Sequence, residues 1–390
     1  MARTTHFPYR LFYTVTIALV ACAPLQNYTG GIAVRPSVGQ DGTIHVPAFN
    51  IPFSSYLSET TKKLFIENTL RAQGSHSEAG VDIEATRKAF DRVVLGPWLE
   101  RAKEQYPAKI EQDILGGVGV YIITPENGIA DRNREKVLIN LHGGGFTFGA
   151  GAGQLLESLP IASAGNMKVI SIDYRQGPEY KFPAASEDIT AVYRTLIQTY
   201  QPGNIGIYGC SAGGILTSMS IAWFQKEKLP LPGAIGIFCA GADALFGGDS
   251  RWTSSALLGQ TLPPMTPNPP RIPVAYLSSA NLNDPRVTPV VSPSVLAGFP
   301  PTLIITGTRA TELSSAVHTH AQLTKAGVNA ALHVWEGMWH GFLYHVNLPE
   351  AQEAYDVAVK FFNAHLGPQP AHSTACNSPL FIPRANSTPH

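Results

Sequence analysis

The sequence predicts an α/β fold, a mostly parallel β-sheet covered by helices on both faces. From about residue 115 onward, short runs rich in β-branched residues alternate with glycine-containing loops and helical stretches. Most of these runs are apolar along their whole length, which is typical of strands buried on both faces of a parallel sheet. The predicted strands cover residues 119–123, 136–141, 168–173, 204–208, 234–238, 302–305 and 331–335. Helical patterns that supply the cover follow Ala184, Ser211, Ser314 and Pro349.

The composition favours a small, largely uncharged partner. Of the 390 residues, 44% are hydrophobic and only 14% are charged, and 28 basic residues balance 28 acidic ones. A chain with this balance has no field that attracts nucleic acid or an acidic surface. We therefore expect no nucleic-acid partner.

The N-terminus has the pattern of an export signal over residues 1–22. Arg3 and Arg10 precede an apolar stretch, residues 11–20, that is too short to span a bilayer as a helix. Residues 19–22 (LVAC) resemble the bacterial lipoprotein signal, and Cys22 then carries lipid and anchors the protein to a membrane. The alternative is an ordinary secretory signal that is cut nearby. Either signal predicts an exported protein, secreted or held in the cell envelope.

The rest of the chain divides into three segments. Residues 23–110 begin with a Gly- and Pro-rich lead-in, after which helical spacing predicts two helices, the second around a break at Gly96 and Pro97. Residues 111–366 hold the strand–helix alternation, and the proline-rich stretch 247–300 within them predicts an insertion over the carboxyl edge of the sheet. Residues 367–390 are poor in apolar residues, which predicts a disordered tail.

The cysteines do not form a disulfide framework. The chain has four, at positions 22, 210, 239 and 376, and they are widely spaced. Cys210 and Cys239 fall in predicted core segments, where a thiol acts as a small hydrophobic group. No cysteine or histidine spacing of the zinc type is present, and we expect neither a metal nor an organic cofactor.

A serine lies on a tight turn between a predicted strand and a predicted helix. The pentapeptide at residues 209–213 (GCSAG) follows the strand-like residues 204–208 and leads directly into a helical pattern. On such a turn the serine hydroxyl is exposed and the neighbouring amides are free, which a nucleophile requires. Ser211 is therefore the predicted nucleophile.

A glycine run follows the predicted strand at residues 136–141. Residues 142–145 (HGGG) allow backbone amides to turn toward a bound oxyanion, because no Cβ atom stands in the way. A flexible turn is the simpler alternative for a glycine run. Together with the serine turn, the run predicts an oxyanion hole made by the amides of Gly144, Gly145 and Ala212.

A serine hydroxyl is barely ionised at neutral pH and needs a base within hydrogen-bond reach. His340 lies on a loop between Gly337 and Gly341, after the last predicted strand, and is the predicted base. The other candidates fall on regular elements: His333 is in a predicted strand, and His318 and His320 are on a predicted helix.

The base in turn needs an acid that fixes its tautomer and offsets its charge. This acid is expected beyond the strand at 302–305, and Glu312 is the single carboxylate between Asp284 and Glu336. Glu312 is therefore the predicted acid. Asp243, which follows the strand after the serine turn, is a weaker alternative.

These features resemble the bacterial hormone-sensitive-lipase-like esterases of the α/β-hydrolase fold. The resemblance covers roughly residues 115–366, and several motifs occur in the family's order. They are residues 142–145 (HGGG), 173–175 (DYR), 178–179 (PE), 182–185 (FPAA), 187–188 (ED), 209–213 (GCSAG) and 284–286 (DPR). The resemblance implies an eight-stranded sheet, an N-terminal helical cap within residues 23–110, and a structural role for the charged residues at 173–188.

The chain departs from the family at one point. The resemblance places the acid, often an aspartate, near Ala310. If the loop holds Glu312 two positions later, its longer side chain reaches His340; otherwise the charge that supports His340 is missing.

The sequence thus predicts a serine hydrolase that cleaves uncharged carboxylic esters. The resemblance implies short to medium acyl chains, because the cap is of modest size. Two alternatives use the same fold: a binding protein with weakened catalysis, and a peptidase. The fold alone does not choose among these functions.

Overall fold

The computed structural model describes residues 35–73, 82–244, 247–260 and 274–367. The predicted signal segment with Cys22, and residues 368–390 of the predicted tail, lie outside the described residues. The chain divides into two compact units at Pro52. In the first unit, β1 (Ser37–Val38) and β2 (Ile44–His45) form an antiparallel hairpin. None of the helices in the described ranges has the length and hydropathy needed to cross a membrane.

The second unit is built on one eight-stranded sheet. Its strands are β3 (Ala108–Leu115), β4 (Val118–Pro125), β5 (Val137–Leu141), β6 (Lys168–Ile172), β7 (Ile205–Cys210), β8 (Ala234–Phe238), β9 (Thr302–Gly307) and β10 (Ala330–Trp335). Their order is β10-β9-β8-β7-β5-β6-β4-β3. Strand β4 pairs in antiparallel fashion with both β3 and β6, and the other pairs are parallel, so the expected mostly parallel sheet is confirmed. The sequence analysis missed β3, an edge strand in which half of the residues are polar and most are exposed.

Helices cover both faces of the sheet. In the described residues they are α1 (Glu59–Gln73), α2 (Ile83–Phe90), α3 (Gly96–Gln105), α4 (Ala152–Gly165), α5 (Ala184–Leu196), α6 (Ala212–Lys226), α7 (Ser250–Leu257), α8 (Pro293–Leu296), α9 (Leu313–Lys325) and α10 (Pro349–His365). The four helices predicted to cover the sheet are α5, α6, α9 and α10, and α1 is the first of the two helices predicted within residues 23–110.

Successive side chains along the buried strands point to opposite faces of the sheet and belong to two separate hydrophobic cores. In β5, Val137 and Ile139 pack with α5, α6 and α9, whereas Leu138 packs on the opposite face with α3, α4 and α10. All five residues of β5 are buried. This two-sided burial explains why the parallel strands are apolar throughout.

Two helical expectations were wrong. The predicted break at Gly96 and Pro97 is absent, because a π-helical turn at Asp91–Leu95 connects α2 directly to α3. Pro97 lies in the first turn of α3, where the missing N–H costs no hydrogen bond. Helix α4 was not predicted, because eleven of its fourteen residues are buried and it therefore lacks the polar face of an amphipathic helix.

The sheet brings four loops to one edge. Residue Ser211 follows β7, His142 follows β5, Glu312 lies shortly after β9, and His340 follows β10. The carboxyl ends of parallel strands share an edge, where ligands of α/β folds bind. Leu141 pairs with Gly209 in the sheet, so the glycine loop begins beside the serine turn.

Candidate active site

Ser211 lies on a strained turn between β7 and α6. Its φ is 59° and its ψ is −122°, and its amide donates to the carbonyl oxygen of Phe238 at 2.9 Å. A positive φ is rare for a residue with a side chain and is typical of functional sites. The turn can pass this close to β5 only because of its glycines: a Cβ atom at Gly213 would overlap the carbonyl oxygen of Leu141.

The structure brings Ser211, His340 and Glu312 together in one hydrogen-bonded row. Nε2 of His340 lies 3.0 Å from Oγ of Ser211, and Nδ1 of His340 lies 2.8 Å from Oε2 of Glu312. Both distances are within the range expected for a nucleophile, its base and the group that orients the base. Glu312 is fully buried, and its other oxygen accepts from the hydroxyl of Thr306 at 3.3 Å.

The position of Glu312 resolves the departure at Ala310. Ala310 is buried after β9, and Glu312 occupies the position immediately before α9. From there its side chain reaches Nδ1 of His340. Burial by itself lowers the pKa of His340, but the charge of Glu312 and its hydrogen bond outweigh burial and raise that pKa to about 9.

Three backbone amides beside Ser211 are available to a ligand. Within the described part of the chain, the amides of Gly144, Gly145 and Ala212 donate to no other residue. Gly144 and Gly145 have φ of 111° and 62°, conformations that glycine adopts without strain. The amide of Ala212 is at the N-terminus of α6, where helices present unpaired donors.

His142 at the start of the glycine loop is a structural group. It is fully buried, its ring stacks on Tyr174 at 4.4 Å between centroids, and the Tyr174 hydroxyl donates to its carbonyl oxygen at 2.6 Å. Burial lowers the pKa of His142 to about 4, so the ring is neutral at physiological pH. These contacts fix the strand end from which the glycine loop departs.

The sequence analysis missed Glu157, a buried carboxylate on α4. Its oxygens accept hydrogen bonds from the amide of Gly143 at 2.7 Å and the amide of Cys210 at 3.2 Å. Burial raises the pKa of Glu157 to about 7 against the opposing effect of its hydrogen bonds. The available signal was a lone carboxylate in an otherwise apolar run, residues 155–161 (LLESLPI).

The charged residues after β6 form ion pairs that hold the turn before α5 and helix α2 in place. Arg175 donates to Asp188 at 2.8 Å, which fixes the turn before α5. Glu179 accepts two hydrogen bonds, at 2.6 and 2.8 Å, from Arg87 of α2. Glu179 thus holds a helix that precedes the sheet, a contact that the sequence did not predict.

A cleft of about 880 Å³ opens at Ser211 and His340. The segment that runs from α1 to the end of α3 contributes Asn68, Ile83, Phe90, Val94, Leu95 and Trp98 to its walls. Trp339 also lines it, as do Val274 and Ala275 from the proline-rich segment. No Asp, Glu, Lys or Arg lines the cleft among the described residues. The buried thiols Cys210 and Cys239 are free, and the described residues contain no metal-ligating cluster.

A strained serine at a strand-to-helix turn, with a histidine, a carboxylate and free amides on a mostly parallel sheet, defines an α/β hydrolase. Residues 138–344 match the family model described as alpha/beta hydrolase fold. An acetyl-hydrolase of Streptomyces hygroscopicus is 30% identical over 286 residues, which cover 69% of this chain and 93% of the relative. The chain belongs to the α/β-hydrolase family.

Solved structures narrow this assignment. The crystal structure of an esterase named E25 has a TM-score of 0.70 and 29% identity, covering 83% of this chain and 99% of that one. An esterase from the bacterial hormone-sensitive lipase family has a TM-score of 0.67 and 27% identity, covering 80% and 99%. Within its family the chain is thus an esterase of the hormone-sensitive-lipase-like type, and the resemblance noted in the sequence is confirmed.

Proposed function

We propose that this chain cleaves carboxylic esters of short to medium acyl chains through an acyl-enzyme formed on Ser211. The observation that carries the proposal is the hydrogen-bonded row of Ser211, His340 and Glu312, of which Ser211 and His340 line the cleft. A serine in such a row gains the base that it needs for attack on a carbonyl carbon.

The geometry supports the following sequence of steps. Oγ of Ser211 attacks the acyl carbon while Nε2 of His340 takes the hydroxyl proton, and Glu312 offsets the charge of the imidazolium. The oxyanion that forms is held by the amides of Gly144, Gly145 and Ala212. His340 returns the proton to the leaving alcohol, and water then releases the carboxylic acid by the reverse proton transfers.

The size and the uncharged walls of the cleft favour an uncharged substrate in which one of the two groups joined by the ester is large. Its volume of about 880 Å³ is in the range of pockets that hold drug-sized ligands, and its described walls carry no ionised Lys, Arg, Asp or Glu. Burial also lowers the pKa of His345, another lining residue, to about 4, so this ring adds no charge near neutral pH. Since a relative is named an acetyl-hydrolase, we propose a short acyl group joined to a larger apolar alcohol.

Two other functions receive less support. A binding protein does not require a histidine nitrogen 3.0 Å from the serine hydroxyl and a carboxylate 2.8 Å from the other nitrogen of the same ring. An aminopeptidase needs carboxylates that hold a free amine, and none lines the described walls of the cleft.

Export is proposed from residues 1–22, with Cys22 as a lipid carrier or with a secretory cut nearby. Intact-mass analysis of the mature protein distinguishes the two. A mature chain that begins at another residue excludes the lipid on Cys22.

The test is hydrolysis of p-nitrophenyl acetate, butyrate, octanoate and laurate by the purified protein. We expect turnover that is highest for the shorter esters and lost in Ser211→Ala. The matched control is Ser218→Ala, because Ser218 is buried in the same helix and its hydroxyl donates only to the carbonyl of Ile215. A folded wild type without turnover on any ester would favour the binding protein instead.

A further inference from the structure

One buried carboxylate contacts three parts of the catalytic machinery at once. Oε1 of Glu157 accepts from the amide of Gly143 at 2.7 Å and from the hydroxyl of Tyr344 at 2.8 Å. Its Oε2 accepts from the side chain of Asn140 at 3.0 Å and from the amide of Cys210 at 3.2 Å. Four donors from three segments, the end of β5, the end of β7 and the turn at Tyr344, therefore converge on a single side chain.

Three of the four donors lie close in the chain to a group that takes part in the proposed reaction. Gly143 precedes Gly144 and Gly145 in the glycine loop, and Cys210 precedes Ser211. Tyr344 lies on the short turn after His340, and its side chain lines the cleft. A movement of the Glu157 carboxylate would displace the oxyanion donors relative to the nucleophile.

The carboxylate itself is held from two sides. The Asn140 amide that donates to Glu157 accepts through its oxygen from the hydroxyl of Ser171 at 2.7 Å. The hydroxyl of Tyr208 donates to the backbone oxygen of Glu157 at 3.1 Å. These contacts link β5, β6 and β7 to α4, so Glu157 is fixed to the rigid part of the sheet.

The surroundings offer no ready substitute for the carboxylate. A cavity of only about 20 Å³ adjoins Glu157, and apolar side chains such as Leu156, Ile161 and Phe238 form much of its wall. This is room for about one water molecule. Without the carboxylate, the buried amides of Gly143 and Cys210 would lose their acceptor, which buried donors tolerate poorly.

The gap between the loop and the strand is also fixed sterically. A Cβ atom at Gly143 would overlap the hydroxyl of Tyr344 and come within 2.8 Å of the carbonyl oxygen of Cys210. The glycine loop thus lies directly against the end of β7, with Glu157 bonded to both. A small change in this spacing would move Gly144, Gly145 and Ser211 directly, because they follow Gly143 and Cys210 in the chain.

We propose that Glu157 is a positioning residue of the hydrolysis, which sets the spacing between the oxyanion donors and Ser211 in the transition state. This inference rests on the proposed ester hydrolysis. A positioning role affects the step in which charge develops, and therefore kcat, whereas binding of the neutral ester depends on the walls of the cleft.

The experiment compares Glu157→Gln with wild type on p-nitrophenyl butyrate, with kcat and KM measured separately and folding followed by thermal unfolding. The glutamine has the same size but presents an NH2 group to donors that need an acceptor. We expect kcat to fall roughly tenfold to a hundredfold, since misplacement by about 1 Å can cost a hundredfold. KM should change by less than about threefold, because only an interaction that is lost in the transition state lowers kcat at unchanged KM.

A matched pair of asparagine variants separates positioning from general destabilisation. Asn140→Leu removes a donor to Glu157, whereas Asn133→Leu removes buried hydrogen bonds to the carbonyls of Gly165 and Asn166 at the far end of α4. We expect a loss of kcat in Asn140→Leu and wild-type kcat in Asn133→Leu, although both melt at lower temperature. The pair also decides the question if Glu157→Gln does not fold.

Two results would overturn the inference alone: wild-type kcat in folded Glu157→Gln, or equal losses of kcat in Asn140→Leu and Asn133→Leu. An inactive wild type would overturn the proposed function, and this inference with it. Because the wild type and Ser211→Ala are measured in the same assay, the two failures are distinguishable.

Discussion

Oε2 of Glu312 lies 2.8 Å from Nδ1 of His340, although the family pattern places the acid near Ala310. Glu312 is fully buried immediately before α9, whereas the side chain of His340, which its carboxylate faces, is 39% exposed. The carboxylate that the structure places beside His340 is thus two positions further along the chain than the family pattern. The longer glutamate side chain compensates for the displacement.

Replacement of this acid should nearly abolish turnover. We expect Glu312→Gln to lower kcat by about four orders of magnitude, as in serine proteases whose triad aspartate becomes an amide, because the imidazole is then held in the wrong tautomer. The measurement is kcat on p-nitrophenyl butyrate. Asp243→Asn, a change at the other candidate acid, should retain turnover, and loss of activity in Asp243→Asn alone would assign the acid to Asp243.

The dependence of kcat/KM on pH should show the effect of the Glu312 charge on the pKa of His340. Only the neutral imidazole of His340 can take the proton of Ser211, and Glu312 raises the pKa of His340 to about 9. The value of kcat/KM should therefore increase with pH up to a midpoint near that value, well above the roughly 6.5 of a free histidine. In Glu312→Gln both raising effects of Glu312 on the pKa of His340 are lost while the lowering effect of burial remains, so the midpoint of the residual activity should move to lower pH. An unchanged midpoint would contradict this assignment.

The glycine loop offers two substitutions with different steric consequences. Gly144 and Gly145 both have positive φ, which costs a residue with a side chain roughly 1–2 kcal/mol. A Cβ atom at Gly144 would also overlap the carbonyl oxygen of Phe148, whereas a Cβ atom at Gly145 meets open space. We expect Gly144→Ala to lose roughly a hundredfold in kcat, the effect of one lost oxyanion donor.

Gly145→Ala should lose clearly less, because the loop can keep its conformation. Kinetics on one ester and a melting curve for each variant provide the comparison. Equal losses in kcat would show that the crowding at Gly144 has no role in the orientation of the amides.

Arg87 links α2 to the loops around the cleft. It donates to both oxygens of Glu179, to the carbonyl of Gly177 at 2.8 Å and to the carbonyl of Thr147 at 2.7 Å. Phe90, one turn further along α2, lines the cleft. We expect Arg87→Ala to raise KM about fivefold, since a partly exposed ion pair contributes about 1 kcal/mol, with a smaller effect on kcat.

The control for Arg87→Ala is on the same helix. Lys88 pairs with Glu84 at 2.6 Å, and both side chains are exposed. Lys88→Ala should leave KM at the wild-type value. A KM effect in both variants would indicate a general loss of helix α2 rather than the loss of its contacts to the loops.

The chain order of strands, turns and charged residues predicted the three side chains Ser211, His340 and Glu312, which the structure brings together. Ser211 and His340 are on loops after strands, and Glu312 was the only carboxylate in its interval. In a parallel sheet the carboxyl ends of the strands share one edge, so the loops that follow them lie close together. In an antiparallel sheet, successive strands end at opposite edges. The spacing of 28 residues between Glu312 and His340 carries no information about their contact, which required the resemblance and the structure.

Glu157 was beyond sequence reasoning for a physical reason. Helix α4 is buried on nearly all sides, so it lacks the amphipathic period, and Pro160 lies in its interior. A carboxylate inside an apolar run indicates a buried polar partner, but it does not indicate which one. The partners of Glu157 are 14 and 53 residues away at Gly143 and Cys210, and only the folded sheet brings them together.

The walls of the cleft and the reacting groups come from different parts of the chain. Ser211 and the glycine loop follow the central strands β7 and β5, and His340 follows the edge strand β10. In contrast, Phe90, Val94 and Trp98 belong to the helical run before the sheet. Substitutions in that run can reshape the cleft while the distances among Ser211, His340 and Glu312 stay the same. Selection for a new alcohol or acyl group could thus act on the helices alone, and homologues with the same chemistry can differ widely in the esters they accept.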